Sequence, residues 1–238
     1  MIKLKDILLE GKPPSIFIPR RIEDRLERMI RLYIRNGSKG NLVLRLMNLT
    51  ELPEILKNVS VDGSFDCSNN KLTSLINAPK SVVISFYCGT NHLTSLEGAP
   101  TSVGISFYCG NNELTSLEFA PTSVGRNFDC SYNELTSLEF APKSVGYSFQ
   151  CGENLLTSLQ GAPKSVSGFF LCSRNKLTTL EGGPVKVGVD FYCSYNKLTS
   201  LEGAPKTVGR DFYCGNNPVK FTREQVRAVC DVKGKIFV

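Results

Sequence analysis

The sequence predicts an α/β solenoid with short parallel strands on one face, extended or 3₁₀ return legs, a helical N-terminal cap and a small helix–strand C-terminal cap. Three observations carry that prediction. Eight of the nine cysteines, Cys67, Cys88, Cys109, Cys130, Cys151, Cys172, Cys193 and Cys214, recur at intervals of 21 residues. A Phe lies two residues before each, from Phe65 to Phe212. An Asn lies three residues after each, from Asn70 to Asn217. The unit reads F-x-C-x-x-N-x-L-T-x-L-x-x-x-P-x-x-V-x-x-x, with Leu72, Thr73, Leu75, Pro79 and Val82 in the first copy. A fixed period of this length marks units that bury their apolar side only by stacking.

Each element follows from its residue types. Phe and Cys at i and i+2 share one side of a strand, so they face the core and the residue between them faces out. The Asn stands where the chain turns inward, and its amide suits the backbone groups of such a turn. The L-T-x-L and P-x-x-V segments carry the chain back along the opposite side. A proline in every unit excludes long helices there, which leaves an extended or 3₁₀ leg. Before the repeats, Ile22, Leu26, Met29, Ile30 and Tyr33 recur at helical spacing and predict an amphipathic helix over residues 20–35, with Gly37 as its stop. Leu42, Leu44, Leu46, Leu49 and Leu52 form a degenerate first repeat, Leu49 aligning with Leu72 at a spacing of 23. At the far end Thr222 and Gln225 form a capping box for a short helix containing Val226, Val229 and Cys230. Ile236, Phe237 and Val238 supply a last apolar strand. The organisation is therefore a leader and capping helix over 1–40, a solenoid over 41–217 with a degenerate repeat and eight strand units, and a cap over 218–238.

At this point the chain resembles a leucine-rich repeat protein. That family's signature is L-x-x-L-x-L-x-x-N/C-x-L. Here x-F-x-C-x-x-N-x-L occupies its strand and turn over residues 42–217, with Phe and Cys at the two strand leucines. The short period and the L-T-S-L segment are most similar to bacterial effector-type repeats, and similar arrays are familiar from large tailed phages. One departure is that Val103 lies four residues before Phe107, which implies a slightly different return leg. The resemblance implies the fold and no particular activity, because the family is defined by architecture.

Composition excludes several function classes. No stretch approaches the ~20 apolar residues of a membrane span, and residues 1–10 lack the apolar run of a secretory signal. The net charge of +6 is uneven, with +5 over residues 1–40, +3 over 215–238 and −2 over the repeats between. A basic stripe tracking phosphates is absent from the repeats, which argues against nucleic acid on that face. The cysteines are expected to be packing residues, since zinc sites want paired ligands such as C-x-x-C and none occurs. Unpaired thiols in this number fit a reducing, cytoplasmic compartment. The single histidine, His92, is expected to be a solvated turn residue. With no Ser–His–Asp set, phosphate-cradling loop or carboxylate pair in view, no enzyme, metal or cofactor is expected.

The outward positions of the repeats supply the candidate site. Between Phe and Cys the column includes Asp66, Tyr87, Tyr108, Asp129, Gln150, Tyr192 and Tyr213. Two residues after Cys it includes Tyr132, Glu153, Arg174 and Tyr195, read as further positions of the same strand face. Six of the eight tyrosines fall on this face, and tyrosine supplies stiff contact area with a polar tip. Asp66, Asp129, Asp190 and Asp211 are expected to add acidity and to favour a basic or amphipathic protein partner. The expected function is non-enzymatic capture of such a partner, of which blocking a host protein is one form.

Residues 1–11 resemble the capsid-targeting leaders of proteins packaged in T-even-like phage heads, and Leu8-Leu9-Glu10-Gly11 fits their prohead-protease site. This supports a second expectation, a virion-packaged protein whose repeats are a spacer. Mass spectrometry of purified particles checks it. A mature chain beginning at Gly11 is the expected result on that reading, and absence from particles removes it.

Overall fold

The computed structural model describes residues 20–238, with side chains from Arg25 onward. The Glu10–Gly11 site lies outside those residues. Helix α1, Arg20–Arg35, covers the start of the array and buries Leu26 and Ile30 against it. Gly37, at φ +78°, ends the helix in a left-handed turn, with the Ser38 amide donating to the Tyr33 carbonyl at 3.0 Å. Glycine suits that backbone because it has no Cβ to clash.

The repeats stack into one parallel sheet of ten short strands. It opens with Leu42–Val43, which pairs in register with Phe65–Asp66. It closes with Ile236–Phe237, paired with Phe212–Tyr213. The degenerate first repeat and the C-terminal cap therefore each contribute a rung, and the 23-residue offset of that first repeat is the offset of its strand. Phe65, Phe86, Phe107, Phe128, Phe149, Phe170, Phe191 and Phe212 are fully buried, as are seven of the eight periodic cysteines, with Cys214 2 % exposed. Successive Phe rings lie 5.1–5.9 Å apart, centroid to centroid. Each Leu of the L-T-x-L segment closes the core from the other side.

The asparagines couple the rungs. Asn91 Nδ2 donates to the carbonyls of Cys67 and Cys88, both at 3.1 Å, and its Oδ1 accepts the Leu72 amide at 3.0 Å. One side chain thus closes its own turn and ties it to the rung before. Asn154 and Asn175 repeat the pattern. Seven of the periodic thiols, from Cys67 to Cys193, also donate to a carbonyl of the following rung, as from Cys151 Sγ to Leu171 O at 3.4 Å.

The return legs are extended, and they pair with one another. Dipeptides ending in Val, most of them Ser–Val, form short parallel ladders there, including the four-stranded set Ser165–Val166, Lys186–Val187, Thr207–Val208 and Asp231–Val232. Glycines follow several of these valines because rungs approach closely. A Cβ on Gly104, Gly125 or Gly209 would lie 2.0 Å from a carbonyl oxygen of the preceding rung. Among the described residues the one 3₁₀ segment is Glu54–Asn58, in the return leg of the degenerate first repeat.

Helix α2, Arg223–Val229, begins with the expected capping box. The Thr222 hydroxyl accepts the Gln225 amide at 3.2 Å, and the Gln225 side chain accepts the Thr222 amide at 2.8 Å. Its apolar face is narrower than the sequence suggested. Val226 and Cys230 are buried, whereas Val229 is exposed because a helix this short presents one line of residues to the core.

Replacing Asn175 with Ala is expected to lower stability by about 1–3 kcal/mol, since it leaves the buried Leu156 amide without a partner and takes one of two amide donors from each of the Cys151 and Cys172 carbonyls. Urea denaturation followed by circular dichroism measures the loss, and an unchanged midpoint would show that the ladder is dispensable.

Candidate functional site

The strand face carries the predicted outward residues, in two columns of different backbone origin. Asp66, Tyr87, Tyr108, Asp129, Gln150, Leu171, Tyr192 and Tyr213 stand on strands between inward Phe and Cys, and all are half-buried by their neighbours along the stack. Tyr87 stacks on Tyr108 at 5.0 Å. Tyr192, Tyr213 and Phe237 form a second stack, at 4.5 Å per step. Between the two stacks lie Asp129, Gln150 and Leu171, which form no aromatic stack.

The second column is a correction to the sequence reading. Tyr132, Glu153, Arg174 and Tyr195 lie beyond the strands, at left-handed positions with φ of 53–57°. Asn69, Thr90, Asn111 and Asn216 occupy the equivalent places at 54–59°. The chain has to reverse curvature here to deliver the following Asn into the core, and a left-handed residue does this. Asn is at home in that conformation, whereas a bulkier residue costs ~1–2 kcal/mol. Four successive rungs nevertheless carry Tyr, Glu, Arg and Tyr, held by inter-rung bonds such as Tyr132 N to Gly152 O at 3.0 Å. Tyr132 and Tyr195 are 60 % and 48 % exposed. Glu153 and Arg174 form an ion pair at 3.0 Å, and the Arg174 guanidinium lies 4.4 Å over the Tyr195 ring.

The two columns wall a groove of about 480 Å³. Its floor is Gly89, Gly110, Ser131, Gly152 and Ser173, the position after each Cys. The floor is low because that position holds only Gly or Ser in every unit. Sequence reasoning missed this, although the alternation of small residues was its signal. A larger hollow of about 680 Å³ lies elsewhere, between α1 and the return side, with Asp62 its one titratable lining residue.

The acidity of the face is smaller than four aspartates suggested. Asp190 is 2 % exposed. It accepts from the Arg210 guanidinium, from the Asp211 amide at 3.0 Å and from the Tyr192 hydroxyl at 3.0 Å. Burial works against its charge, but these donors outweigh it and hold the carboxyl below the usual range. Asp211 Oδ1 accepts the Lys235 amide at 2.8 Å. Both are structural, because stacking places each beside donors from the next rung. Asp129 differs, and desolvation pushes its carboxyl upward against the lowering effect of the adjacent Ser131, backbone and side chain together.

His92 is exposed and lies 2.9 Å from Glu113, with no nucleophile in the pair. Among the described residues no group of three His, Cys, Asp or Glu side chains could hold a metal ion, and no helix is long and apolar enough to cross a membrane.

No protein-family model and no curated protein sequence matches the chain. Solved structures do. YopM from Yersinia enterocolitica WA-314 superposes with a TM-score of 0.60 at 22 % identity, over 86 % of this chain and 43 % of that one. The leucine-rich repeat domain of a Shigella effector superposes with a TM-score of 0.61 at 19 % identity, over 93 % of this chain and 90 % of that one. The chain thus spans under half of YopM. Both likenesses show the fold that the resemblance to leucine-rich repeat proteins implied.

All nine cysteines are free and buried. Burial pushes every periodic thiol up, and Cys214 and Cys230 reach about 11. Thiolate is the reactive form, so these are packing groups. Ellman's reagent at about pH 8 is expected to leave the folded protein unlabelled and to titrate all nine thiols in denaturant. Stability is fully present below the unfolded thiol value and is expected to fall as pH rises past about 9, where unfolded thiols ionise and folded ones do not. Rapid labelling of the folded chain would contradict the burial.

Proposed function

We propose that this chain is a non-enzymatic recognition module that binds a protein partner across its strand face. The observation that carries the reading is the run Tyr132, Glu153, Arg174 and Tyr195 at left-handed backbone positions. Stability alone favours Asn or Gly there, so large side chains at these places serve the surface rather than the fold. The area suits the task. Nine strand spacings of ~4.8 Å and five residues' reach of ~3.3 Å each give roughly 700 Å², close to one partner's share of a standard interface. The tyrosine stacks supply stiff contact area on either side of the groove.

The partner favoured is basic or amphipathic, and the carboxylates that support this are Asp66 and Asp129, Glu153 being paired with Arg174. The reading extends to an effector-type role, capture and blocking of a host protein in the cytoplasm. Its support is that one similar structure is the repeat domain of a Shigella effector. Nothing among the described residues favours the virion-packaged spacer.

Replacing both Tyr108 and Tyr192 with Ala is expected to leave the circular dichroism spectrum intact and shift Tm by only a few degrees. Partner capture from host extract is expected to drop at least about tenfold, as befits two aromatic anchors. Capture at the wild-type level by a folded double variant would remove this face from the interface.

A further inference from the structure

The middle of the groove holds two polar groups with capacity left over. Asp129 Oδ1 accepts the Ser131 amide at 2.9 Å, and its second oxygen takes no hydrogen bond among the described residues. Ser131 beside it is 6 % exposed, and its buried hydroxyl has no hydrogen-bond partner among the described residues. The same Asp-x-Ser pair three rungs earlier is closed, since the Ser68 hydroxyl donates to Asp66 Oδ1 at 2.6 Å. Buried hydroxyls are almost always paired, so an open one on a groove floor points to a ligand group.

The charge of the groove says which group. Its charged lining residues are Asp129, Glu153 and Arg174. Glu153 and Arg174 pair with each other, and Tyr195 covers the guanidinium. One uncompensated negative charge remains, on Asp129. Tyr108 pairs with Asp129 across adjacent strands, and its ring is stacked on Tyr87 on the side away from Asp129.

We infer that the Asp129–Ser131 notch receives an arginine side chain from an extended segment of the protein partner. The planar fork of a guanidinium can donate to Asp129 Oδ2 and the Ser131 hydroxyl together, and its face suits a tyrosine ring. Gly110 and Gly152, which flank Ser131 on the floor, let the stem of such a side chain approach the backbone. The upward push on Asp129 by desolvation fits a carboxylate still without its cation. This inference rests on the strand-face reading and names the chemistry of its centre.

The test uses the full, ¹⁵N-labelled chain and N-acetyl-arginine N-methylamide as probe, read at the Ser131 amide. A saturable shift in the millimolar range is expected. The citrulline analogue, which keeps the shape and loses the charge, should bind at least about tenfold more weakly, as should Asp129→Asn to the arginine probe. Ser131→Ala, which removes only the unpartnered hydroxyl, should bind several-fold more weakly and serves if Asp129→Asn disturbs the fold. No shift at Ser131, equal binding of citrulline, or wild-type binding by a folded variant overturns the inference. If the double tyrosine variant still loses the partner while Ser131 stays silent, the strand face stands and the notch falls. If that variant keeps the partner, the face itself falls.

Discussion

The asparagine ladder is the interaction on which the rest of this structure depends. A two- or three-residue strand followed by a sharp turn leaves carbonyls and amides that no other part of its own unit can satisfy. In each unit one buried amide side chain supplies the missing partners, and it does so across two rungs. Stacking is therefore a condition for satisfying the backbone as well as for burying Phe and Cys. The thiol-to-carbonyl contacts run the opposite way, toward the following rung, and reinforce the coupling.

That requirement separates the inside of the solenoid from its outside. Phe, Cys, Leu and Asn each meet their own kind in the adjacent rung, so any change inside is felt by two neighbours. The outward positions meet only the side chains stacked above and below them. Left-handed backbone at the turn has a further effect, lifting the side chain there clear of the strand and making it a wall. With Gly or Ser on the floor, a groove follows along the solenoid axis wherever the wall residues are large. It is best formed where Tyr132, Glu153 and Arg174 succeed one another.

Much of the fold is legible in the residues because its period is exact and its residue types have few other uses. Phe-x-Cys reads as one side of a strand, proline excludes a helical return, and Thr222 with Gln225 reads as a helix start. Two structural features were not legible. The short ladders on the return side arise from hydrogen bonds between units, which a single unit's pattern does not contain. The left-handed column was hidden because only Asn69, Asn111 and Asn216 carry the usual residue for that backbone, while Tyr132, Glu153, Arg174 and Tyr195 disguise it.

By itself the sequence determined the repeat, the register of the strands, the inward set of side chains and the composition of the outward face. Those depend on spacing along one chain. Only the tertiary structure decided which outward groups remain available. Asp190 is consumed by Arg210 and Tyr192, while Asp129 and Ser131 keep hydrogen-bonding capacity, although all of them lie at outward positions of the face. The physical reason is that each outward side chain finds its neighbours about 21 residues away, across the stack, where no local pattern reveals whether a donor, a ring or solvent will stand beside it.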